Sequence, residues 1–106
     1  MSTIVDHIGV PALLEQTAEE CCELAQACLK MARKLRDENP TPKSIEDIRD
    51  NLIEEMADVE LCFIELDKAG IVNCEELEEI FNYKKKRWYE RLEQHVTLDV
   101  FEDEDK

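Results

Sequence analysis

Apolar or small side chains return every three or four residues at Leu13, Thr17, Cys21, Leu24, Cys28, Met31 and Leu35. That period lines up one side of an α-helix. The run stops at Asp37-Glu38-Asn39-Pro40-Thr41-Pro42, where two prolines prevent its continuation, so a first helix is predicted over 12–36. Before it, Gly9-Val10-Pro11 suits an extended lead-in with proline close to the helix start. Ser44, followed by Asp47 three residues later, signals a second start. The stripe Ile45, Ile48, Leu52, Met56, Val59, Phe63 and Leu66 then runs towards Gly70, which predicts a helix over 44–69. Asn73 is placed to cap a third helix through Leu77, Ile80, Phe81, Trp88 and Leu92, ending near Gln94.

The pattern allows three helices, or four if the first is broken. It predicts an all-α antiparallel helical bundle over residues 1–95, followed by a solvated acidic tail at 96–106. Composition agrees: in 106 residues there are 2 glycines and 3 prolines, too few for a structure rich in tight turns. With 43% hydrophobic residues the chain can fill one modest core. Three helices with wide apolar stripes leave surface uncovered, so completion by a homodimer or homotetramer is expected.

Charge narrows the choice of partners. The 27 acidic residues against 13 basic ones give a formal charge of -14, which repels the phosphates of nucleic acid. The five cysteines, Cys21, Cys22, Cys28, Cys62 and Cys74, are odd in number and contain no CxxC pair. They read as reduced core thiols. No basic run leads into an apolar segment at the N-terminus, and no long apolar run follows. A soluble cytoplasmic protein, with no membrane partner, is expected.

The candidate chemistry lies in two similar segments, Glu19-Glu20-Cys21-Cys22-Glu23 and Glu54-Glu55-Met56-Ala57-Asp58. Acids three apart on a helix share a face, so Glu20 with Glu23 and Glu55 with Asp58 each form a two-carboxylate clamp. At about 100° per residue, Glu55 points within about 20° to 40° of Ile48, Val59, Cys62 and Leu66, inside the apolar arc. Glu20 lies about 20° from Leu13 and Met31. Carboxylates crowded into partly buried surroundings need a cation to offset their desolvation and mutual repulsion. An all-oxygen donor set favours Mg²⁺, with Mn²⁺ able to substitute, and Mg²⁺ characteristically joins carboxylates to substrate phosphates. Acidic helices more often mean a solvated face; two clamps, one intruding on an apolar stripe, argue for a site. A di-iron centre would need Glu-x-x-His motifs, which His7 and His95 do not supply.

The two acidic motifs resemble the MazG-like family of all-α nucleoside triphosphate pyrophosphohydrolases, over about residues 12–92. The likeness implies that Glu20, Glu23, Glu55 and Asp58 bind magnesium and form the catalytic set. It also implies cleavage of a nucleoside triphosphate between the α and β phosphates, to a monophosphate and pyrophosphate. Lys84, Arg87 and Arg91 share a helical face and resemble the family's K-x-x-R-x-x-x-R pattern, which implies contacts to phosphate. Lys30 is a weaker candidate for the same role, and Gln16, one turn before Glu20, is placed to contact a base. The competing expectation is a non-enzymatic helical module that binds a basic partner or senses nucleotide.

Overall fold

A computed structural model describes the backbone of residues 2–38 and 42–105, with side chains described up to residue 94. Its elements are α1 (Ile4–Ile8), α2 (Val10–Arg36), α3 (Ile45–Lys68) and α4 (Cys74–Asp105). No strand occurs among the described residues, so the fold is all-α. None of its helices is long and apolar enough to cross a membrane, again among the described residues. The chain divides into two compact units, residues 1–71 and 72–106.

The start of the chain differs from the extended lead-in that the sequence suggested. Thr3 and Asp6 form a capping box: the Asp6 amide donates to Thr3 Oγ1 at 3.3 Å and the Thr3 amide to Asp6 Oδ2 at 2.8 Å. This closes the single turn α1. Gly9, at φ 84°, separates α1 from α2 in a backbone region that a side chain would strain. Pro11 then occupies the first turn of α2, where its missing amide costs no hydrogen bond.

The boundaries of α2 and α3 follow the sequence closely. Asp37 ends α2 in the left-handed conformation, with Arg33, Lys34 and Arg36 in the last turn, where they complement the helix dipole. Ser44 Oγ accepts from the Asp47 amide at 3.1 Å to start α3. The 37–43 connection expected between the two helices lies partly outside the described residues.

Which residues face inward is less obvious from composition. Residues at the level of Leu13 and Gln16 on α2 share a pocket with Leu61, Cys62 and Glu65 of α3, whereas Glu20 and Glu23 lie beside Glu55. Numbers rise on one helix as they fall on the other, so the pair is antiparallel. The inward seam of α2 is Leu13, Thr17, Glu20, Leu24, Ala27, Met31 and Lys34, all buried or half-buried. That of α3 is Ile48, Leu52, Glu55, Val59, Cys62 and Leu66. Both advance in alternating steps of four and three, the ~3.5-residue period by which two long helices keep one seam in contact.

The predicted stripes are corrected in part: Leu13, Thr17, Leu24 and Met31 on α2, and Ile48, Leu52, Val59 and Leu66 on α3, face inward as expected. Cys21, Cys28 and Leu35 on α2, and Ile45, Met56 and Phe63 on α3, are exposed, Leu35 by 71%. Cys62 alone of the five cysteines is buried, so the others are not core thiols. Cys21, Cys28 and Leu35 belong to a second row on α2, displaced by one residue from the inward seam: Leu14, Ala18, Cys21, Ala25, Cys28, Ala32 and Leu35. This row carries no charge, and all of it except half-buried Ala32 is exposed.

The second unit consists mainly of α4. Asn73 Oδ1 accepts from the amides of Glu75 and Glu76 at 2.8 and 3.3 Å, the cap that the sequence predicted. The helix continues past the expected end near Gln94 to Asp105. Neither glycine nor proline follows Asn73 to interrupt it. The solvation expected of the acidic side chains at 96–106 lies outside the described side chains. Leu77, Ile80, Phe81, Trp88 and Leu92 do occur on α4, and all five are exposed.

Candidate metal centre

Glu20 and Glu55 occupy adjoining levels of the two inward seams, places where the period calls for an apolar side chain. Glu23 lies one turn from Glu20 on α2. Carboxylate oxygens of Glu20, Glu23 and Glu55 lie within 4.8 Å of one another. Glu20 and Glu55 are half-buried and Glu23 is exposed. One oxygen of each half-buried acid, Glu20 Oε2 and Glu55 Oε2, is shut off from solvent and has no hydrogen-bond partner. Buried carboxylate oxygens are ordinarily satisfied; here two from facing helices are left open beside a third acid.

Gln16 contacts one member of the cluster. Its Nε2 donates to Glu20 Oε1 at 2.7 Å, so it orients a carboxylate, in addition to lining the neighbouring pocket. Asp58, the fourth acid named from the sequence, is exposed and falls outside the three-oxygen set. It is nonetheless close enough for its charge to act on Glu20. Glu20 titrates above the usual 4.5: desolvation pushes it up, the Gln16 hydrogen bond pulls it down, and the charges of Glu23 and Asp58 push it up further. A divalent cation among these oxygens would reverse each upward push. Three hard oxygen donors with open lone pairs, and no thiol or imidazole among them, fit Mg²⁺ or Mn²⁺.

Beside the cluster, between α1, α2 and α3, is a pocket of about 140 Å³. Ile4, Ile8, Leu13, Leu61 and Cys62 give it apolar walls. Glu20 belongs to both pocket and acidic cluster, and Asp58 and Glu65 also line the pocket. Glu65, only 5% exposed, was missed by the sequence reading. The signal was present in its spacing: seven residues after Asp58, it returns to within about 20° of the same direction on the helix.

Lys30 is exposed on α2 and lies ~10 Å along the helix axis from Glu23, at 1.5 Å per residue, outside the acidic cluster. Lys84, Arg87 and Arg91 are exposed on α4, within the second unit. The Arg87 guanidinium lies 5.6 Å from the centre of the Tyr83 ring, a cation–π distance that restrains the side chain. Trp88, from the apolar stripe of that helix, is exposed.

No family model, curated protein or solved structure matches the chain.

The raised Glu20 carboxyl sets a pH dependence. Its contribution to stability is fully present below the unfolded value and is lost as pH rises through the elevated folded value. A bound cation offsets that loss, and binding requires the carboxylate form. The rise in melting temperature caused by Mn²⁺ should therefore be large at pH 7 and vanish as pH falls through the range just above 4.5. Thermal denaturation with Mn²⁺ or EDTA across that range checks this; a shift that ignores pH would count against it.

Proposed function

We propose that the chain is a cytoplasmic, Mg²⁺-dependent nucleoside triphosphate pyrophosphohydrolase that converts a nucleoside triphosphate and water to a monophosphate and pyrophosphate. The observation that carries this reading is the convergence of Glu20, Glu23 and Glu55 oxygens within 4.8 Å, with two inward oxygens unsatisfied. The resemblance of the two acidic motifs to the MazG-like family supplies the reaction class.

Bound Mg²⁺ would polarise phosphate oxygens and make an attacking water more acidic. The chain's own residues perform the rest of the work. Glu20, Glu23 and Glu55 hold the cation from two facing helices, Gln16 fixes the orientation of Glu20, and Asp58 adds negative charge at the edge. In the reaction, water oxygen bonds to the α-phosphorus while the bond from that phosphorus to the α,β-bridging oxygen breaks. The bridging oxygen leaves with pyrophosphate, and the water's proton passes to solvent. For Lys84, Arg87 and Arg91, on the second unit, the family resemblance implies contacts to phosphate, a role such cations have in phosphoryl transfer.

The second unsatisfied feature is the uncharged outer row of α2. We propose that a second copy covers it and completes a helical bundle as a homodimer, or a homotetramer if further faces pair. Small residues at Ala18, Ala25 and Ala32 permit close helix approach, and the absence of charge from the row avoids the repulsion that a net -14 imposes elsewhere. The same exposed row, with the aromatic surface of α4, is what favours the alternative of a non-enzymatic interaction module.

Pyrophosphate release from a panel of ribo- and deoxynucleoside triphosphates tests the activity. It should require Mg²⁺, stop with EDTA, and fall at least about a hundred-fold in Glu55→Gln, given the several kcal/mol of charge stabilisation that the metal provides. A folded wild type inert towards every nucleotide would favour the interaction module. For assembly, sedimentation should give two or four copies, and Ala25→Glu, which buries a charge in the proposed contact, should give monomers. A monomeric wild type with full activity would contradict this part.

A further inference from the structure

We propose that Glu65 is a specificity-determining residue that accepts a hydrogen bond from the exocyclic amino group of a cytosine ring seated in the pocket between α1, α2 and α3. This rests on the hydrolase reading for the rest of the substrate. Glu65 is 5% exposed. Its Oε1 accepts from Lys68 Nζ at 3.3 Å, whereas its Oε2 is buried and has no hydrogen-bond partner. The Lys68 side chain is itself 53% exposed, so that ion pair is solvent-screened and does not account for the second oxygen. An unsatisfied buried acceptor is costly in the free protein; a ligand donor arriving there removes the cost and is selected by it.

The pocket's size and position define the ligand. Its 140 Å³ falls short of the ~300 Å³ at which pockets enclose drug-sized ligands. One ring with its substituents suits it better than two. Glu20 and Asp58 line the pocket too, so a triphosphate held at the acidic cluster points its nucleoside end this way. Glu65 lies ~10 Å along the helix axis from Asp58, a span for a sugar and one ring. Apolar Ile4, Leu13 and Leu61 suit the faces of that ring. A carboxylate offers only acceptors. The amino group of cytosine donates to it, whereas the carbonyl at the same position of uracil or thymine sets lone pairs against the carboxylate.

Hydrolysis of cytidine and uridine triphosphates is compared for wild type and Glu65→Gln, with melting temperatures recorded for both. Binding of the free nucleosides cytidine and uridine is measured by calorimetry without metal. The wild type should favour the cytidine substrate by about ten- to a hundred-fold in kcat/KM, the range given by a hydrogen bond to a charged group. Glu65→Gln places an amide donor at the uracil carbonyl and should narrow the ratio by at least about ten-fold. If the wild type hydrolyses both equally, or folded Glu65→Gln keeps the full preference, the role of Glu65 is refuted and the hydrolase reading stands. Should Glu65→Gln fail to fold, the wild-type ratio decides. If neither triphosphate is hydrolysed, the hydrolase reading fails; cytidine binding tighter than uridine then supports the pocket, and equal or absent binding refutes it.

Discussion

Two glutamates occupy positions where helix packing asks for apolar side chains, and the rest of the site follows from that conflict. The α2–α3 pair is held by a seam of about 3.5-residue period, and Glu20 and Glu55 interrupt it from opposite sides. The seam forces both carboxylates partly out of water, while Glu23 and Asp58 add charge around them. An apolar pair at the same levels would pack without that conflict. On the proposed reading, retaining the acids trades packing for a cation site, the kind of local rule-breaking that marks function in an otherwise consistent fold.

The surrounding structure makes this trade workable. Gln16 fixes one carboxylate, and α1, closed by the Thr3–Asp6 capping box, packs against both long helices to wall the pocket beside the acids. The buried apolar set of this unit is small: Leu13 and Ala27 on α2, with Ile48, Val59, Cys62 and Leu66 on α3. A core of that size sits beside an equally long uncharged row on the outside of α2. The proposed metal site and the proposed subunit contact are thus neighbouring stripes of one helix, one residue out of step, and assembly would stiffen the helix that carries Glu20 and Glu23.

Much of this was legible in the sequence because helix signals are local. The Ser44 and Asn73 caps are short-range patterns, and each appears where it was read. Glu55 was identifiable as an intruder because its direction lies inside the apolar arc whichever stripe is chosen. The inward face of α2 was legible in part: Leu13, Thr17, Leu24 and Met31 were placed on it, but two rows one residue apart compete for the core, and Cys21, Cys28 and Leu35 belong to the more apolar, exposed one. Only the partner helix decides between them. Glu65 was missed for a related reason, since a lone acid beside Leu66 resembles a solvated residue until the third wall, α1, is known. The α1 turn itself was masked by Gly9 and Pro11, which drew attention to the start of α2. The length of α4 was underestimated because acidic composition suggested a tail, although nothing after Asn73 breaks a helix.

The central claim is that Glu55 is kept in the seam for a cation and at the expense of packing. Thermal denaturation of wild type and Glu55→Leu, each in EDTA and in Mn²⁺, tests it most directly. The variant is expected to melt above wild type in EDTA, by ~4–8 °C for each kcal/mol regained in a domain of this size, and to lose the rise that Mn²⁺ gives the wild type. A variant that melts below wild type in EDTA, or that responds to Mn²⁺ as the wild type does, would contradict the account.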